Sequence, residues 1–252
     1  MKAVYFTEHG GPEVLQYGDL PEPIPSANEV KIKVRACALN RLDVYTRAGV
    51  RGTKMDLKEP HVLGADVSGE IVEVGSDVTK VSVGDRVVVN PRITCMQCTY
   101  CQSNQSEYCD KAGMVGSGKR GGYAEFAVVP ASSAFPIPTS LSYVQAASLP
   151  TVFMPSWNIL IRRSNLKPWE TALVPSASSG VGTAAIQVAK NVAKSTVITT
   201  TSTPEKANKA SALGADHVIN YKSEDVSARL KEITGGKGVD VVIDHVGTDI
   251  WN

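Results

Sequence analysis

The sequence has no excess of charge of either sign: 26 basic residues stand against 25 acidic ones over 252 positions. That near-balance removes any electrostatic case for a nucleic-acid partner or an anionic membrane surface. No apolar run approaches the roughly 18 residues of a membrane span. The opening MKAVYFTEHG lacks the apolar h-region of a secretory signal. Internal repeats and low-complexity segments are absent as well. Together these absences predict a soluble, cytoplasmic protein. At about 100–200 residues per domain, the length predicts two domains.

Two styles of sequence are present, and they change near residue 152. Up to that point the chain reads as short strands broken by turns. EVKIKVRACAL (29–39) alternates apolar and polar residues, as a half-buried strand does. GEIVEVG (69–75), GDRVVV (84–89) and GYAEFAVV (122–129) repeat the pattern between Gly or Pro boundaries, and DLPEPIPSANE (19–29) is a Pro-rich connection. A β-rich domain over 1–152 is the expectation. From 153 to 252 strand-like and helix-like runs alternate. TALVPS (171–176), TVITTT (196–201), DHVINY (216–221) and VDVVIDHVG (239–247) read as strands. GVGTAAIQVAKNVAK (180–194), PEKANKASALG (204–214) and SEDVSARLKEITGG (223–236) read as helices. Such alternation predicts βαβ units and a doubly wound parallel sheet, so the fold class is α/β.

Four of the five cysteines, Cys95, Cys98, Cys101 and Cys109, fall in NPRITCMQCTYCQSNQSEYCD (90–110). Without an export signal, such a cluster reads as metal ligands better than as a disulfide framework. The fifth, Cys37, lies in an apolar strand and is expected to be a buried packing residue.

LVPSASSGVGTAAIQVAK (173–190) places a turn of small residues between a strand and a helix. A dinucleotide's pyrophosphate would sit there, met by the free N–H groups and positive dipole end of the helix. The candidate contacts are Ser179, Gly180, Val181 and Gly182. The G-x-G-x-x-G pattern is degraded, with Ala177, Ser179 and Gly182 at its glycine positions, so the strand–turn–helix context carries the reading. The ribose is met about 20 residues further on, where an NAD-specific site usually has a carboxylate. TTTSTPEK (199–206) has none, with Thr201 at that position, and Ser202 with Lys206 can bind a 2′-phosphate. NADPH is therefore the expected cofactor, with NADH as the alternative.

These features together resemble the medium-chain dehydrogenase/reductase family, which includes zinc alcohol dehydrogenases and zeta-crystallin-type quinone oxidoreductases. The resemblance spans essentially the whole chain. Its carriers are GGPEVL (10–15), ALNRLDVYTRAG (38–49), LGADVSGEIVEVGSDVTKVSVGDRV (63–87), the four cysteines, GYAEFAVV, SSGVGTAAIQVAK (178–190) and LGADHVINY (213–221). It implies a GroES-like β-rich domain followed by a Rossmann domain. It also implies that C-x2-C-x2-C-x7-C is a structural zinc lobe over about residues 91–115. The chemistry agrees, because four thiolates close a tetrahedral shell and leave no open position. An iron–sulfur run is the rival; it wants its fourth Cys after three residues and then Pro, whereas seven intervene here and Asp110 follows.

Zinc alcohol dehydrogenases carry a second, catalytic zinc, and the resemblance locates its ligand positions on this chain. The first-domain Cys falls on Asn40, the His on Ala65 with Asp66 at the neighbouring Glu, and the junction ligand on Thr151. The proton-relaying hydroxyl falls on Leu42. The resemblance therefore implies a structural zinc without the catalytic one. Asn40, Asp43 and Asp66 as oxygen ligands for Mg²⁺ or Mn²⁺ are the alternative; otherwise the two carboxylates are hydrogen-bonding residues retained from the shared fold. Asn40 and Tyr45 match positions lining the substrate cleft of zinc-free relatives, and Asn40, Asp43 and Tyr45 are the candidate catalytic residues. Lys206 and Tyr221 match positions that contact the 2′-phosphate in NADPH-dependent quinone oxidoreductases. Pro155 stands where close relatives have Thr near the nicotinamide, and it offers neither hydroxyl nor N–H.

Family members continue roughly 80–100 residues further, so strands five and six of the order 3-2-1-4-5-6 are expected to be missing. The chain is thus expected to be truncated at its C-terminus, with strand four as an apolar edge and without the family's usual edge-strand dimer. Weaker NADPH binding and low or no turnover are expected for it. Three functions follow: hydride transfer to a quinone or enone, an alcohol/aldehyde dehydrogenase with substitute metal ligands, and an inactive fragment keeping zinc and partial cofactor binding.

Overall fold

A computed structural model describes residues 1–244 and Gly247. The chain divides into two compact units, one of residues Met1–Thr151 and one from Val152 onward.

The first unit contains β1 (Lys2–Phe6), β2 (Gln16–Asp19), β3 (Glu29–Ala38), α1 (Arg41–Ala48), β4 (His61–Val62), β5 (Asp66–Val74), β6 (Arg86–Val89), β7 (Arg92–Ile93), α2 (Thr99–Gln102), β8 (Gly113–Met114), β9 (Phe126–Pro130), β10 (Ala134–Pro136) and α3 (Tyr143–Ala147). Its main sheet has the order β10-β6-β5-β3-β9, and a smaller sheet runs β2-β1-β4. The side chains of Val30, Ile32, Val67, Ile71, Val87 and Val129 fill the core of the main sheet. This is the GroES-like β-rich unit that the resemblance implies.

Strand β3 departs from the alternation read in its sequence. Val30, Lys31 and Ile32 are buried in succession, and the register against β5 shifts between Lys31 and Ile32 and again between Val34 and Ala36. Each irregularity resets which face a side chain takes. Lys31 tolerates burial because Glu22 and Glu73 reach its Nζ at 2.7 and 2.9 Å. The end of the strand matters most for the site. Ala38 pairs with Asp66, so the start of β5 lies two residues from Asn40.

Helix α4 (Pro150–Trp157) precedes the second unit's elements: a π-wound segment (Asn158–Arg163), β11 (Thr171–Val174), α5 (Gly180–Val188), β12 (Thr196–Thr201), α6 (Pro204–Ala212), β13 (His217–Asn220), α7 (Val226–Ile233) and β14 (Val241–Val242). The strands form a parallel sheet in the order β13-β12-β11-β14, which is Rossmann-like. Five consecutive residues of β12, Val197 to Thr201, are buried, as expected of a strand covered on both faces. The helix read over 180–194 is α-helical only to Val188 and continues as a π-wound turn over Ala189–Ala193. The strand read over 239–247 is realised at Val241–Val242, on the edge of the sheet among the described residues; His245 and Val246 lie outside them.

Candidate functional site

The four cysteines come together on the lobe built from β7, α2 and β8. Their Sγ atoms all lie within 4.8 Å of one another. Three pairs, Cys98–Cys101, Cys95–Cys109 and Cys95–Cys101, are 3.5, 3.6 and 3.9 Å apart. A tetrahedral ion with metal–sulfur bonds of about 2.3 Å needs sulfurs about 3.8 Å apart, so the donor set fits zinc. Backbone N–H groups of Gln97 and Cys98 hold the Cys95 thiol down to about 6. Against the Cys101 N–H, burial and the neighbouring thiols push Cys98 up to about 11, so the metal-free set shares its protons unevenly. No pair forms a disulfide. Among the described residues this is the one group of three or more His, Cys, Asp or Glu side chains arranged to hold an ion.

The Asn40 region is assembled differently. Asn40 ends the turn after β3 and caps α1, and its N–H donates to Asp43 Oδ2 at 2.7 Å. The same oxygen receives the Tyr123 hydroxyl at 2.9 Å, while Oδ1 receives the Gly64 N–H at 3.0 Å. Gly64 can present its N–H there because its φ of +100° suits glycine, and a Cβ would meet the Tyr123 ring at 2.6 Å. Burial and the Asp43 charge together push the Tyr123 phenol up.

A second carboxylate holds the Asn40 side chain. Asn40 Nδ2 donates to Asp66 Oδ2 at 2.9 Å, and Asp66 Oδ1 accepts from Thr151 N and Oγ1 at 3.0 and 2.7 Å. Asp66 is 1 % exposed. Burial pushes its carboxyl up, against the opposing hydrogen bonds from Thr151 and Asn40. Three donors aimed at one carboxylate form a hydrogen-bonded cluster, which differs from oxygen ligands converging on a cation. An apolar hollow of about 260 Å³ opens beside it, lined by Leu15, Leu39, Asn40, Asp43, Leu63 and Tyr123 among others.

Tyr45 does not join this cluster among the described residues. Its ring lies under the Arg51 guanidinium at 4.8 Å. Cys37 is half-buried rather than fully buried. Burial still pushes its thiol well above the usual range, as suits a packing residue.

In the second unit the small-residue turn is stitched to β12. Ala177 N–H donates to Thr200 O at 2.9 Å and Ser176 N–H to Thr200 Oγ1 at 3.1 Å. Ser179 caps α5 by accepting the Gly182 N–H at 2.9 Å. At Gly182 a Cβ would lie 2.3 Å from Ser176 O, so the turn closes only on glycine. Ser156, which the sequence reading passed over, donates to Val152 O at 2.8 Å and Val181 O at 3.3 Å, fastening α4 to the first turn of α5.

The 2′-phosphate candidates gather at the carboxyl ends of β12 and β13. Lys206 Nζ lies 3.3 Å from Ser202 Oγ. Tyr221 is exposed, and its N–H donates to Thr201 O at 3.0 Å. The Thr201 hydroxyl is buried with no partner among the described residues. An orphaned hydroxyl costs about 1–3 kcal/mol, and it lies where the ribose of a bound dinucleotide is expected. The tight glycine turn and this orphan both fit the cofactor.

Comparison with known proteins agrees with this architecture. The family profile of the alcohol dehydrogenase GroES-like domain matches residues 26–139, and that of zinc-binding dehydrogenase matches residues 180–252. The NAD-dependent alcohol dehydrogenase of Sulfurisphaera tokodaii is 36% identical over 249 residues, covering 97% of this chain and 71% of the relative. Quinone oxidoreductase 1 of Escherichia coli is 35% identical over 248 residues, covering 98% and 67%. A crystal structure of an NAD-dependent alcohol dehydrogenase superposes with a TM-score of 0.93 at 41% identity, covering 98% of this chain and 71% of that one. The chain belongs to the medium-chain dehydrogenase/reductase family, a family of NAD(P)-dependent oxidoreductases. No described helix is long and apolar enough to cross a membrane.

Proposed function

We propose that the protein transfers hydride from NADPH to a quinone or α,β-unsaturated carbonyl, with one structural zinc on Cys95, Cys98, Cys101 and Cys109 and no catalytic metal. The observation that carries this reading is the Asn40–Asp66–Thr151 cluster. Asn40 and Thr151 stand at two positions that resemble catalytic zinc ligands of alcohol dehydrogenases, and both donate hydrogen bonds to Asp66. A carboxamide and a threonine hydroxyl are not among the Cys, His and carboxylate groups that zinc takes.

Oxidising a simple alcohol requires its alkoxide to be stabilised, normally by a Lewis acid. A conjugated acceptor spreads the charge that arrives with hydride, so hydrogen-bond donors at its oxygen suffice. Asn40 supplies an amide N–H, and Tyr45 is a second candidate donor. The apolar walls beside Asn40 suit a flat ring. NADPH, when bound, supplies the hydride, and one solvent proton completes reduction to the hydroquinone. Ser179, Gly180, Val181 and Gly182 receive the pyrophosphate, and Ser202, Lys206 and Tyr221 receive the 2′-phosphate. Zinc, when bound, fixes the lobe and takes no part in the reaction.

A second reading, an alcohol dehydrogenase, is favoured by the 36% identity to an NAD-dependent alcohol dehydrogenase. Steady-state assays separate the two. NADPH oxidation driven by a quinone, with no NAD⁺ reduction by primary or secondary alcohols, is expected. Alcohol-driven NAD⁺ reduction that a chelator abolishes would overturn the proposal.

A further inference from the structure

The orientation of the Asn40 side chain decides what it offers a ligand. A primary amide carries two N–H donors on one end and a carbonyl acceptor on the other, and the two ends are nearly the same size. Turned one way it donates to a carbonyl oxygen; turned the other way it presents its own oxygen, which repels a carbonyl oxygen. An ionised carboxylate only accepts, so the amide must show it the nitrogen end. Asp66 Oδ2, 2.9 Å from Asn40 Nδ2, imposes that choice. Asp66 is itself held, because both donors of Thr151 are engaged on its other oxygen at 3.0 and 2.7 Å. The Asn40 backbone is fixed separately by Asp43, which also takes Tyr123 and Gly64. Asp43 sets where Asn40 sits, and Asp66 sets which way its amide turns.

We infer that Asp66, locked by Thr151, is a positioning residue that turns the Asn40 amide so that its second N–H meets the carbonyl oxygen of the substrate. The pair thereby presents a donor, and not the amide oxygen, to that carbonyl. This rests on the proposed quinone reduction but is tested apart from it. The donor that meets the carbonyl is then oriented by a carboxylate that never touches the substrate.

The test combines side-chain amide NMR with kinetics on the whole chain. The Asn40 Nδ2 signals, assigned by their loss in Asn40→Asp, are expected as a dispersed pair that shifts when duroquinone is added. In Asp66→Ala that pair collapses and no longer responds, while kcat for quinone reduction falls on the order of 10-fold to 100-fold and the Kd of NADPH stays within about two-fold. Thr151→Val keeps the side chain's shape without its hydroxyl and is expected to give a smaller change of the same kind. This guards against an Asp66 variant that fails to fold. An Asn40 pair unchanged in both variants overturns the inference. A wild-type protein whose pair responds to duroquinone, yet which reduces no quinone, supports the positioning and refutes the proposed reaction.

Discussion

The four-cysteine lobe and the Asn40 cluster both hold polar loops, and on the proposed reading they do so by opposite means. Across residues 91–115 only Pro91, Cys109 and Val115 are buried, so the lobe has almost no core of its own. Four cysteine sulfurs lie within 4.8 Å of one another there, and on the proposed reading an ion that joins them does what packing cannot. The Asn40 cluster lies against Ala65, Asp66 and Val67, each no more than 1 % exposed, and hydrogen bonds suffice there. A metal-type geometry on a thin loop reads as structure, and a hydrogen-bonded one in a dense core reads as chemistry.

The sharpest way to break this contrast is to remove one thiolate. Cys109→Ser is expected to lose zinc and, because metal binding is folding free energy in such a loop, to unfold the lobe locally. Limited proteolysis would then cut within 91–115 while the main sheet stays resistant. An intact, protease-resistant lobe without metal contradicts the structural role.

Gly182→Ala probes the second unit while sparing both first-unit regions. Its Cβ would lie 2.3 Å from Ser176 O, and such overpacking costs about 1–3 kcal/mol. NADPH affinity measured by fluorescence titration is expected to fall on the order of 10-fold, with zinc content unchanged. Unaltered affinity would remove this turn from the cofactor site. Lys206→Ala is a milder version: a few-fold rise in the Kd of NADPH, weakened further by salt, with NADH binding unaffected.

The smallest expected effect is a pH slope. Burial raises Asp66 above its unfolded value, so the folded protein holds that proton more tightly. Stability therefore falls as pH rises from the ordinary carboxylate range through the raised value, where the unfolded chain has already ionised. Asp66→Asn should flatten that slope in denaturant titrations, and an unchanged slope would remove Asp66 as its source.

Much of this was legible in the sequence, for physical reasons that differ by region. The cysteine spacing, the strand run TVITTT and the small-residue turn are local signals, each set by residues close together in the chain. Partnerships across long separations were not legible. Asp66 meets Asn40 and Thr151 over 26 and 85 positions, and Tyr123 meets Asp43 over 80. Only the β3–β5 register brings the first pair together, and that register depends on irregularities that alternation alone cannot reveal. The buried run in β3 escaped for the same reason. Ser156 left no signal, because its hydroxyl matters only through carbonyls of other turns.

On the proposed reading one metal site is kept as a staple, and the place of the other is held by hydrogen bonds to Asp66. Metal analysis of the purified protein, on the sample used for quinone-dependent NADPH oxidation, tests it most directly. One zinc per chain, with the quinone-dependent rate, however low, unchanged by prolonged dialysis against a chelator too weak to strip four thiolates, is the predicted result. Two metals per chain, with activity lost as the more weakly held one departs, would contradict it.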